Sequence, residues 1–137
     1  MIQRIKFLAV AAIAAVLVAC GGGGDDNPSF SGRYLETMTF KSDTCNSPNV
    51  GKTLEAADSV NQDGRTISIN SDGVLMTGTI DSDNRGFTVS GSGVVKGNPA
   101  QGTIKYRTII EGSKYDFEFT LTVNGCTGVF TGTATKI

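Results

Sequence analysis

Few side chains in this chain can do chemistry. The first to weigh are three cysteines, Cys20, Cys45 and Cys126, with no histidine anywhere to serve them. Without histidine there is no Ser-His-Asp or Cys-His nucleophile, no imidazole-bound zinc, and the commonest general base is missing. A metal held by cysteine would need more soft ligands than the chain has. Carboxylates remain, and a pair of them can cleave a glycoside, but no tryptophan is present to stack on a sugar. Five of the 13 carboxylates, Asp63, Asp72, Asp81, Asp83 and Glu111, also stand in turn-forming surroundings, where water solvates them. The composition therefore points to a protein that is not an enzyme and uses neither cofactor nor metal.

Two short segments look like ligand loops and fail on detail. Asp81-Ser82-Asp83-Asn84-Arg85-Gly86 resembles the opening of an EF-hand calcium loop, but Arg85 stands at the fifth position and Ser92 where a bidentate glutamate belongs. Asp, Asn and Gly also make turns for backbone reasons alone. Gly91-Ser92-Gly93 is not a phosphate loop, because no helix follows and the third glycine is misplaced.

The start of the chain is of another kind. Arg4 and Lys6 form a positive head, and Phe7 to Val18 is an uncharged, mostly apolar run of twelve residues. A membrane-crossing helix needs about 20 apolar residues, so this run reads as a secretory signal. Leu17-Val18-Ala19-Cys20 resembles the lipobox of bacterial lipoproteins, in which the signal peptidase cuts just before a cysteine that carries diacylglycerol. The resemblance implies a signal peptide over residues 1–19 and a mature amino terminus at Cys20 bearing two or three acyl chains, palmitate among them. One chain binds a bilayer marginally, and several anchor it stably. An aspartate after the cysteine favours inner-membrane retention; Gly21 stands there instead, so the resemblance implies the outer membrane, with the domain in the periplasm or at the cell surface. With Cys20 taken by lipid, Cys45 and Cys126 are left, and in an oxidising compartment they are expected to form a disulfide. The loop so closed spans about 80 residues, which the chain-entropy picture values at roughly 4–5 kcal/mol at most.

Removing residues 1–19 leaves 118 residues, enough for one domain. Two of the 12 basic residues lie in the signal, so the mature chain carries ten against 13 acidic ones. No basic patch marks it for nucleic acid, and a monomer is expected. Residues 20–29 are the lipidated cysteine and a tether; Gly21 to Pro28, GGGGDDNP, can bury nothing and is expected to be disordered, reaching roughly 15 Å. The domain proper is 30–137.

From Phe30 onward nothing has helical period. Short runs alternate with turn signals, the mark of an all-β fold. Strands are expected over 30–40, 54–61, 65–70, 74–80, 87–95, 102–110 and 115–123, with an eighth from Cys126. Asn124-Gly125 before it is a strong two-residue hairpin signal. The second strand, LEAADSVN, is the least regular. In the seventh, Phe117, Phe119, Leu121 and Val123 alternate with Asp116, Glu118, Thr120 and Thr122, so one face is buried and one wet. In the sixth, Ile104, Tyr106, Thr108 and Ile110 share a face. Eight strands with short connections fit a small antiparallel up-and-down barrel stapled by one disulfide. Cys45, just past strand one, and Cys126, opening strand eight, would meet at one end of such a closed sheet. Gly78, Gly91, Gly93, Gly128 and Gly132 fall on the inward register, where they either let the sheet coil tightly or leave room for a ligand.

Phe30-Ser31-Gly32-Arg33-Tyr34, with Thr77-Gly78-Thr79 and Thr131-Gly132-Thr133, resembles the calycin barrels (lipocalins and avidins), although those families have tryptophan where Tyr34 stands. The resemblance implies a meander barrel and brings no ligand with it. The expected function is a lipid-anchored envelope module that binds a small, partly apolar ligand at the barrel mouth facing away from the membrane. Its loops are 41–53 and 96–101, and their exposed candidates are Asn46, Asn49, Lys52 and Asn98. The alternatives are a protein-interaction or hydrolase-inhibitor module, by analogy with small barrel lipoproteins that block lysozyme, and a structural envelope component.

Overall fold

The computed structural model describes residues 27–137; the expected signal, Cys20 and Gly21 to Asp26 of the expected tether lie outside the described residues. Eight antiparallel strands, β1 (Gly32–Asp43), β2 (Thr53–Asp63), β3 (Thr66–Ser71), β4 (Val74–Ile80), β5 (Gly86–Val95), β6 (Asn98–Ile110), β7 (Lys114–Val123) and β8 (Cys126–Lys136), follow one another around a closed barrel. No described residue is helical. The closing seam pairs β1 with β8 from Tyr34–Lys136 to Asp43–Gly128. Just past its end the Cys45–Cys126 disulfide staples the two strands, with Cα atoms 5.5 Å apart.

Turn chemistry explains the meander. Asp72-Gly73, Lys96-Gly97 and Asn124-Gly125 all have positive φ at both positions, the geometry of the two-residue type I′ turn that matches strand twist. The β5–β6 connection is consequently a tight turn at 96–97, and Asn98 to Ala100, expected in the loop, already belong to β6. β2 is a regular strand along its whole length. A bulge between Thr108 and Ile110 breaks the register of β6 on β7, so Ile110 faces water, 56 % exposed, instead of continuing the inward row.

Inward side chains fill the half of the barrel nearest the chain start. Phe30 closes that end and packs edge-on against Phe87 at 5.2 Å; Phe87 meets Tyr106 at 4.7 Å and Tyr34 meets Tyr115 at 5.6 Å. Ile67, Ile69, Met76, Val89 and Ile104 complete this core. The end of the expected tether is tied down here. Gln62 Nε2 donates to the Pro28 carbonyl (3.0 Å) and Arg65 Nη1 to Asn27 Oδ1 (2.8 Å). The disorder expected for Gly21 to Pro28 thus does not extend to Asn27 and Pro28.

The inward glycines serve coiling and leave no room. A Cβ on Gly91 would overlap the Leu75 carbonyl, and one on Gly132 the Thr37 carbonyl, so neighbouring backbones approach where a side chain would stand. At Gly128 the space is taken by the Phe40 and Phe130 rings. Gly132→Ala is expected to cost about 3 kcal/mol, the upper range for overpacking since the obstacle is backbone; urea unfolding at unchanged slope would measure it.

Candidate functional site

β1, β3, β5 and β7 run toward the disulfide, so the connections 44–52, 72–73, 96–97 and 124–125 cluster at the barrel end opposite Phe30. There the inward rows continue but are no longer covered. Phe40, Val95, Phe119, Leu121, Val123 and Phe130 are half-buried, and Leu54, paired with the inward Met38, is 45 % exposed. Phe40 and Phe130 stack face to face at 4.4 Å, and Phe119 lies 5.8 Å from Phe130. Together these side chains make an apolar mouth.

The residues expected to do the recognising sit at this rim. Asn46, Asn49 and Lys52 share the β1–β2 loop and are exposed. Lys52 Nζ donates to Asn49 Oδ1 at 2.9 Å, and Asn46 holds a left-handed backbone, φ 57°. Asn98 stands across the β5–β6 turn, paired with Val95 and in register with the buried Ala100, so it faces the mouth. The first three form one local group; Asn98 joins them only in lying at the same end.

The rim is notched. β3 pairs with β2 only from Val60–Ile69 to Asp63–Thr66, because β3 has six residues and turns into β4 at Asp72. Residues 53–59 of β2 therefore have no paired residue on that edge, and the wall drops at the β3–β4 hairpin.

Below the notch lies a polar cluster that the sequence reading missed. Glu36 is 1 % exposed, the one buried charged side chain among the described residues. It faces inward between Tyr34 and Met38, with the small Ala56 and Ala134 opposite it on β2 and β8. That space lets the side chain cross the interior, where Tyr106 Oη donates to Oε1. Oε2 has no partner. Asp58, diagonal to Glu36 on β2, is half-buried beside Ser71 and Asp72. Burial pushes the Glu36 carboxyl up to about 8, partly opposed by the Tyr106 hydrogen bond and reinforced by the charge of Asp58. Burial likewise raises Asp58, opposed by the polar side chains of Ser71 and Glu36 near it, and the Tyr106 hydroxyl is raised first by burial and then by Glu36. The two acids titrate as a pair. Each acid therefore holds its proton to a higher pH than it would in water.

Other recesses lie outside the barrel interior. One of about 540 Å³ lies at the closed end among Phe30, Arg85, Glu111 and Tyr115; two of about 480 and 420 Å³ lie on the outer wall, over β6–β8 and beside the 124–125 turn. The loop that resembles an EF-hand start is occupied by its own cations. Arg107 bridges Asp81 (3.0 Å) and Asp83 (2.8 Å), and Arg65 donates to Asn84 Oδ1 and the Asp81 carbonyl. The Arg107 hydrogen bond, with the Arg85 N–H donating to Oδ1 at 3.0 Å, holds the Asp83 carboxyl down at about 2. Its oxygens serve the fold.

The geometry defines an eight-stranded antiparallel up-and-down barrel, filled at one end and open at the other. Compared with protein-family models, curated proteins and solved structures, the chain matches none.

Proposed function

We propose that the protein is a lipid-anchored envelope lipoprotein whose non-catalytic barrel binds a small, partly apolar ligand in its mouth. The anchor rests on the resemblance of Leu17 to Cys20 to a lipobox, and intact mass of material from the native envelope tests it: a diacylglycerol-bearing chain beginning at Cys20 is expected. The binding reading rests on one observation, the inward apolar row left half-covered at the disulfide end. A ligand on Phe40, Phe119 and Phe130 would gain about 25 cal/mol for each Å² of apolar surface removed from water. The filled lower half makes the site a shallow one. That same filling favours the second reading, in which the mouth receives an apolar side chain of a partner protein.

Titration with the neutral fluorophore N-phenyl-1-naphthylamine separates these readings. Saturable micromolar binding is expected, weakened at least tenfold, about 1.4 kcal/mol, in a Phe119→Ala/Phe130→Ala variant. A protein that takes up no apolar probe at the mouth would exclude the ligand reading.

A further inference from the structure

We propose, building on the mouth reading, that the ligand is an amine: its ammonium sits between Glu36 and Asp58, reached through the notch, and its apolar body lies against Phe40 and Phe130. Two independent observations meet here. The first is an uncovered apolar wall with an acidic low point in its rim, Asp58 and Asp72 flanking the gap left by the short β3. The second is the Glu36 Oε2 atom, buried and without a partner, on a side chain whose other oxygen is satisfied. A buried carboxyl with an unmade hydrogen bond costs free energy that a donor from outside would recover.

The groups around Glu36 favour a cation over other donors. β2 presents Asp58, the end of β3 Ser71, the β3–β4 turn Asp72, and β6 Tyr106. Beside it β1 presents Tyr34, and β8 the uncharged Ala134. The basic side chain on this register, Lys136, lies over the Tyr34 ring, 6.0 Å from its centre. No arginine or lysine pairs with Glu36 or Asp58 among the described residues. An ammonium has three donors, enough for Oε2 and the Asp58 carboxylate. A divalent metal suits the place less well, for no group of three or more acidic or sulfur ligands converges among the described residues. On binding near pH 7, the proton held by the acid pair leaves to the buffer and the ammonium replaces it, so charge balances.

The test compares 4-phenylbutylamine with its isostere 4-phenylbutan-1-ol by calorimetry at pH 7, in two buffers of different ionisation enthalpy. The amine is expected to bind at least tenfold more tightly and to release up to one proton. In Glu36→Gln the amine-to-alcohol ratio should fall to near one, and in Asp58→Asn it should fall by several-fold, with thermal unfolding confirming that each variant is folded. Equal binding of amine and alcohol, or amine binding without proton release, would overturn this inference and leave the mouth reading standing. If neither compound binds, both fall.

Discussion

Removing the Cys45–Cys126 bond, by Cys45→Ser with Cys126→Ser, is expected to lower the unfolding free energy by about 2–5 kcal/mol while the barrel persists. The two effects separate because the bond lies beyond the seam it guards. β1 and β8 pair through to Asp43–Gly128 without it. The ladder is extended by Thr44 N donating to the Thr127 carbonyl at 3.0 Å and by Thr127 N donating to Thr44 Oγ1 at 2.9 Å. What the bond removes is freedom in the unfolded chain, across a sequence separation of 81 residues. Far-ultraviolet circular dichroism should therefore be unchanged in native buffer. The urea midpoint should fall, and the slope should rise because the uncrosslinked unfolded chain exposes more surface. A loss below about 1 kcal/mol with unchanged slope would mean that the unfolded ensemble is already compact without the bond.

What could be read from the residues, and what could not, divides by range. Asn124-Gly125 forms the turn its type requires, and the alternation from Phe117 to Val123 sets β7 in the expected register. Both are local facts, decided within a few residues. Closure was legible only because the two cysteines supplied one long-range constraint, and the structure joins them at the expected place. The bulge at Thr108–Ile110 depends on how β7 meets β6, and no spacing in β6 announces it. The notch comes from the shortness of β3 beside β2. Glu36 is the plainest case. A period-two reading of Tyr34, Glu36 and Met38 puts it inside, yet nothing near it in sequence says how a carboxyl could be tolerated there. The answer is Tyr106, 70 residues away, together with small neighbours on both flanking strands.

That burial has a direct consequence for pH. The folded barrel is expected to be more stable near pH 5 than near pH 9, by a few kcal/mol. Glu36 titrates at about 8 in the fold against 4.5 ordinarily, so its contribution is fully present below 4.5 and is lost as pH rises toward 8. Each unit of difference corresponds to about 1.4 kcal/mol. Asp58, also raised, acts in the same direction. The exposed Asp83 has the opposite sign, its contribution present above its ordinary 3.8 and lost only as pH falls toward about 2, outside the window that matters. Glu36→Gln should flatten the curve between pH 5 and 9. The amide still accepts from Tyr106, and it offers Asp58 a donor that never ionises. Urea unfolding at pH 5, 7 and 9 on both proteins decides the matter. If the native chain keeps its stability to pH 9, or the variant loses as much, then Glu36 ionises at little cost, and its oxygens must be reached by water in the folded state.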